Sequence, residues 1–201
     1  MKTLCLDSAH KSLVVALLED GEVKAGVALN CWKQQSETLF PELIKCMNQV
    51  GWSANDIDEV FITDGPGSYT GVRIAMSVAK VLCTRKQLPL YCISTLQLYA
   101  GMCEHTLVML DARSSRAYVG VLHHGEYEKE PCIMTLEEIK EYLASHSDIT
   151  LLGDADLINE EIAEINFVEN FKLLRPLARL VENVHTLTPR YLKEQDAYKV
   201  N

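Results

Sequence analysis

Acids and hydroxyls that could work on a phosphate or an acyl group gather at three places in this chain. Asp7-Ser8 closes the first apolar run, Asp64 opens a glycine loop, and Asp111 closes a later apolar run. The loop reads Asp64-Gly65-Pro66-Gly67-Ser68-Tyr69-Thr70-Gly71-Val72-Arg73. Its glycines permit positive φ or close backbone approach, and Pro66 stiffens the turn between them. Ser68 or Thr70 can cap the helix pattern that follows by accepting an orphan amide hydrogen. Free amides at a helix start also attract anions. Two readings result. One is an anion or nucleotide cradle at Asp7, Ser8, Gly65, Gly67, Ser68 and Asp111. The other is a tight strand-to-helix turn with no ligand, Asp7 merely capping its own turn. No G-x-x-x-x-G-K-[ST] or dinucleotide fingerprint is present, so spacing alone favours the turn.

Other chemistries are poorly supplied. Ser8 and Ser68 lack a G-x-S-x-G elbow and a histidine with an obvious partner. The seven cysteines are scattered with no C-x-x-C pair. Cys5, Cys46, Cys83 and Cys92 fall in apolar runs, where free cysteine behaves as a small hydrophobe, so neither disulfides nor a clustered metal site is expected. His123-His124 would point to opposite faces of a strand, and His10, His105, His146 and His185 stand alone. Each reads as a surface or satisfied histidine. Arg113 and Arg116, just after Asp111, are either anion ligands at a cleft or solvated arginines.

The elements that must position these residues follow from periodicity. Strands are expected over 3–7, 12–18 and 22–29, with Asp20-Gly21 as a hairpin turn. A helix opens at Ser36, repeats Leu39, Phe40, Leu43, Ile44, Met47 and Val50 at helical spacing, and stops at Gly51, with Pro41 early enough to be tolerated. A strand over 60–63 leads into the glycine loop and a helix over 70–85. That helix has one narrow polar stripe, Arg73, Ser77, Lys80 and Thr84. A surface helix usually shows a wider polar face. Either it is buried within one domain, or one side packs on a sheet and another on a partner. Further strands are expected over 88–93, 106–110, 117–122 and 149–152. Helices are expected over 95–102, 135–147, 158–165 and 173–184, the second of these opened by the capping box Thr135-Leu136-Glu137-Glu138. An apolar strand, an acid and a return strand open both halves, which suggests a weak internal duplication. The expected division is 1–103 and a smaller 104–201, in an α/β architecture of mixed sheets with helices packed on them.

Composition narrows the classes. The chain has 201 residues and a formal charge of −9. That charge argues against gripping nucleic acid unaided. No run is long enough to span a bilayer, and the N-terminus meets Asp7 too early for a signal peptide, so a cytoplasmic protein with no membrane association is expected.

The glycine loop with its Val72-Arg73, together with Leu4-Cys5-Leu6-Asp7-Ser8, Leu110-Asp111-Ala112-Arg113 and Thr188-Pro189-Arg190-Tyr191-Leu192, resembles the TsaB (YeaZ) family of tRNA threonylcarbamoyladenosine biosynthesis. The resemblance is firm over 1–122 and weaker beyond. It implies an actin-like ATPase (ASKHA, RNase H-like) fold of two related subdomains, the second reduced. It implies a non-catalytic scaffold for a TsaD-like subunit, which modifies the adenosine next to the anticodon. The histidine pair that binds metal in TsaD corresponds to Thr95 and Tyr99, so neither catalytic nor metal residues are expected. It further implies a homodimer when alone, a TsaE-like ATPase as third partner, ATP or ADP at the junction of the complex, and tRNA contacted through that complex. The implied partner surface is the helices of the first half, at Leu39, Leu43, Met47, Val72, Arg73, Ala75, Met76, Ala79, Lys80 and Cys83. Two enzyme readings stay open. One is an actin-like small-molecule kinase using Asp7, the glycine loop and Asp111. The other is a peptidase using Ser68 or Ser8.

Overall fold

The computed structural model describes residues 1–192. Strands β1 (Lys2–Asp7), β2 (Ser12–Glu19) and β3 (Glu22–Asn30) form an antiparallel meander. Helix α1 (Gln35–Val50) and a short 3-10 turn (Ala54–Asp56) lead to β4 (Glu59–Thr63), which pairs parallel with β1. Helix α2 (Tyr69–Lys86) crosses over to β5 (Leu90–Ile93), parallel to β4, and α3 (Thr95–Ala100) follows. The second half repeats the plan. β6 (Thr106–Arg113), β7 (Arg116–His123) and β8 (Glu126–Thr135) form a meander, and α4 (Leu136–Ser145) returns the chain to β9 (Thr150–Gly153), parallel to β6.

The first sheet runs β10 (Arg179–Leu180), β5, β4, β1, β2, β3, and the second β8-β7-β6-β9. The order β3-β2-β1-β4 and its strand directions recur as β8-β7-β6-β9. This is the actin-like, RNase H-like arrangement, with the second copy reduced. Alternate residues of β1 explain the layering, since successive side chains point to opposite faces. Leu4 and Leu6 join the core under α1 and α2, while Cys5 joins the core between the two sheets. A third core lies between the second sheet and α4. Strands buried on both faces read as unbroken apolar runs, as Leu13-Val14-Val15-Ala16-Leu17-Leu18 does.

Three expectations are corrected. Residues 158–165 are not helical: a 3-10 turn (Ala155–Ile158) ends at left-handed Asn159. No helix covers 173–184 either. Helix α5 (Phe167–Leu174) starts earlier, capped by Asn166, and gives way at Pro176 to a 3-10 turn (Arg175–Leu177) and then β10 (Arg179–Leu180). Proline has no amide hydrogen and clashes with a preceding turn, so the helix stops. The division at 103/104 is also redrawn. β10 pairs antiparallel with β5, so the chain after 166 returns to the first sheet.

Candidate functional site

The glycine loop is shut rather than open. The Ser68 amide donates to the Ala9 carbonyl at 2.8 Å. A Cβ on Gly67 would stand 2.3 Å from that carbonyl oxygen, and one on Gly71 would stand 2.5 Å from the Ser8 carbonyl oxygen. These glycines exist so that the loop can press against the β1–β2 turn. Gly65 holds φ 105°, and its peptide bond to Pro66 is cis. Side chains complete the weld. Ser68 Oγ accepts from the Gly71 amide at 3.2 Å. Ser8 Oγ donates to the Gly71 carbonyl at 2.7 Å and accepts from the Ala75 amide at 3.0 Å. Asp7 Oδ1 accepts from the Thr63 hydroxyl and from the Ala9 amide at 3.1 Å. Burial pushes the Asp7 carboxyl above its ordinary value, against the pull of those bonds. The anion cradle is therefore corrected at Asp7, Ser8 and Gly65, which are buried and face protein. Asp64 is buried too, with Arg179 and Arg190 each 3.3 Å from its Oδ2.

Gly67, Ser68 and Asp111 do meet, at a cleft between the halves. This cleft, about 340 Å³, is also lined by His10, Trp32, Tyr69, Arg113, Tyr118 and Tyr191. One wall is a buried ion cluster that joins the halves. His10 Nε2 lies 2.6 Å from Asp154 Oδ2, and Lys11 Nζ lies 2.7 Å from Asp154 Oδ1. The Asp111 amide donates to Asp154 Oδ2 at 2.7 Å. Burial would raise the Asp154 carboxyl, but the hydrogen bond and charge of His10, with Lys11, hold it down at about 2. Sequence reading left His10 as a surface or satisfied histidine and did not find its partner 144 residues away. Trp32 carried no signal, since a single aromatic has no spacing, and Tyr191 was named only within the stretch that carries the family resemblance.

A second feature lies on the far side of α2. Phe40 is 54% exposed, Ile44 56% and Val81 65%. Phe40, Met47, Val78, Val81 and Leu82 line an apolar groove of about 610 Å³ between α1 and α2. The expected partner set is corrected here. Leu39, Leu43, Val72, Ala75, Met76, Ala79 and Cys83 are buried in the chain's own core. A helix seats its i, i+3, i+4, i+7 stripe on the sheet, and 72, 75, 76, 79 and 83 form that stripe. Lys80 is tied to the carbonyls of His185 and Leu187 at 3.0 Å each. The Arg73 guanidinium lies over the Tyr69 ring at 3.6 Å. Met47 stays at the groove, and Leu43, though buried, also lines it. The positions matching the TsaD histidine pair, Thr95 and Tyr99, are core residues, Tyr99 packing edge-on against Phe167 at 4.8 Å.

Comparison with known proteins is consistent in fold and family. The family model for TsaD, tRNA N6-adenosine threonylcarbamoyltransferase, matches residues 30–184. The tRNA threonylcarbamoyladenosine biosynthesis protein TsaB of Escherichia coli is 31% identical over 136 residues, 65% of this chain and 56% of that protein. TsaB of Bacillus subtilis is 29% identical over 128 residues, 62% of this chain and 56% of its own. The matched stretch thus spans little more than half the length of these relatives. An uncharacterised Mycoplasma genitalium protein, MG208, is 26% identical over 95% of this chain and 94% of its own length. The solved structure of YeaZ from Pseudomonas aeruginosa superposes with a TM-score of 0.75 at 21% identity, covering 95% of this chain and 99% of that one.

Proposed function

The chain belongs to the TsaD family, in its TsaB/YeaZ branch, and on that premise we propose that it is a cytoplasmic, non-catalytic subunit of tRNA threonylcarbamoyladenosine biosynthesis. It supports a TsaD-like catalytic subunit through the α1–α2 groove. That groove carries the reading. Contiguous exposed apolar surface rimmed by polar residues marks an interaction site, and Phe40 and Val81 supply it beside Arg85 and Lys86. The same face closes a homodimer when the partner is absent, because a self-complementary patch is buried by two-fold pairing. A TsaE-like ATPase joins the assembly, ATP or ADP is held at its junction, and tRNA is contacted through the complex.

Two observations support a role without catalysis. Ser8 and Ser68, the candidate nucleophiles, have hydroxyls engaged by the α2 backbone. The glycine loop, which a kinase of this architecture would open to phosphate, is packed against Ala9.

The test is light scattering of the pure chain, alone and with its cognate TsaD-like subunit. A homodimer should give way to a heterodimer, and Val81→Arg should weaken both by more than about tenfold, a loss of about 1.4 kcal/mol or more. A chain that ignores the TsaD-like subunit, or cells that keep the modified adenosine after its deletion, would refute the proposal.

A further inference from the structure

A strand at the edge of a sheet offers a row of unpaired backbone groups to any chain that can pair with it. Folds usually blunt such edges with brevity, charge or proline. Among the described residues, three of the four sheet edges are blunted. β9 has four residues and β10 two. β8 is long, but it carries Glu126, Glu128, Lys129, Glu130 and Pro131. β3 is different. It is nine residues long and closes the first sheet opposite β10. From Ala25 to Cys31 it has neither charge nor proline. The irregularity in its pairing falls earlier, against Leu17 and Leu18 of β2, so the stretch beyond stays regular.

The phase of that pairing tells which groups point outward. The Cys31 amide donates to the Lys11 carbonyl at 3.1 Å. The register places Leu29, Val27 and Ala25 opposite Leu13, Val15 and Leu17. In an antiparallel pair, hydrogen-bonded residues alternate with residues whose groups turn away. Ala25, Val27, Leu29 and Cys31 therefore bond toward β2, while Gly26, Ala28 and Asn30 turn their amides and carbonyls out of the sheet. All three are exposed. Among the described residues none of their outward groups has a hydrogen-bond partner. A Cβ on Gly26 would meet Val168 of α5, so that helix covers the strand from one face rather than at its rim. On the other face the half-buried Val27 and Leu29 form an apolar shoulder.

Donors and acceptors repeating at strand spacing are matched by one shape, another strand. The charge of its owner follows from the charge of this chain. At −9, a second copy brings like charge to the edge, whereas a neutral or basic segment is drawn to it. We infer that the β3 edge takes an extended, neutral-to-basic segment of a partner protein as a further strand of the first sheet. The main chain of that segment pairs with Gly26, Ala28 and Asn30. Its alternate side chains are apolar and lie beside Val27 and Leu29. The edge shares no residue with the α1–α2 groove, and the inference does not depend on the partner proposed there.

The test follows the backbone amide signals of the full chain by NMR as a capped nonapeptide is added to millimolar concentration. The peptide alternates valine and threonine between terminal lysines. The amides of Gly26, Ala28 and Asn30 should shift saturably and exchange with solvent about tenfold more slowly or better. The same peptide with every internal amide methylated, and hence without donors, should bind about tenfold more weakly or worse. A version with glutamate in place of lysine should bind more weakly at low salt. Ala28→Pro removes one outward amide and no bond to β2, and should weaken binding by about fivefold, the scale of one hydrogen bond. If Ala28→Pro fails to fold, Ala28→Lys, which puts a charge on the exposed rim, takes its place with the same expected loss. Absence of saturation at these amides overturns the inference. So does equal binding of the methylated or the glutamate peptide, movement of the Phe40 and Val81 signals of the groove instead, or indifference to the folded variant. A change of the same amides with protein concentration alone, before any peptide is added, assigns the edge to a second copy and overturns it too.

Discussion

A carboxylate buried beside an imidazole and an ammonium is held ionised by them, and Asp154 makes that measurable. Its carboxyl is lowered from 3.8 to about 2. The unfolded chain therefore binds this proton more readily than the folded one. The stabilisation is complete above about pH 4 and is lost as pH falls through about 2, an amount on the order of 2 kcal/mol. Asp154→Asn should lower the urea midpoint at neutral pH and flatten the loss of stability between pH 4 and pH 2. An acid limb identical to wild type would refute the role of this pair. Gly67→Ala belongs to the same scale. A methyl 2.3 Å from the Ala9 carbonyl oxygen forces the loop off the β1–β2 turn, so a loss of about 2 kcal/mol or more is expected in the same urea experiment. At this scale the sequence showed which residues mattered but not what they touched. Asp7 and Ser8 looked like chemistry because they are polar at a strand end. Ser8 proves to tie the turn to α2, and Asp7 to tie β4 to its own turn. The groups that do reach the cleft, Trp32, Arg113 and Tyr191, are far apart in the chain and have no common spacing.

Elements with strong periodicity and clear stops were legible. Helix α1 ends at left-handed Gly51, α2 is capped by Ser68, and α4 opens with its capping box at Thr135. What failed lies where periodicity and tertiary pairing compete. The stretch 173–184 has helical spacing, yet Pro176 breaks it and the edge of β5 takes Arg179 and Leu180 as a strand. Which face of α2 meets the solvent was also beyond reach, because both of its sides are apolar. Neighbouring residues of α2 now give a sharp contrast. Ala79 is fully buried and Val81 is 65% exposed. Val81→Arg should leave thermal stability within about 0.5 kcal/mol, while Ala79→Arg, placing a charge in the core, should cost more than about 3 kcal/mol. Equal effects in thermal melts would mean that α2 is rotated from the orientation described. The stretch that follows β10 is fastened to α2 by Lys80 at two carbonyls. Lys80→Ala should cost about 1 kcal/mol. It should speed hydrogen exchange over 181–191 while leaving β4 protected.

At the scale of the molecule, the internal duplication was visible in outline, as an apolar strand, an acid and a return strand appearing twice. The way the copies are joined was not. The core between the sheets draws Val14, Leu18 and Phe61 from the first half and Val108, Leu110 and Leu122 from the second. It is sealed by α5, which follows β9 in the chain. Phe171 is fully buried and meets Phe61 edge-to-face at 5.1 Å. Arg175, just beyond α5, grips buried Glu59 through two bonds of 2.9 and 2.7 Å. A unit that needs residues from three separate stretches to bury its centre has no independent half. The two sheets should therefore unfold in one transition, despite the repeat. Phe171→Ala removes a ring from that shared centre and should cost about 3–5 kcal/mol. The loss should appear equally in the exchange protection of β2 and of β6. A sheet that kept its protection while the other lost it would show two autonomous units, and would overturn the view of α5 as the element that makes them one.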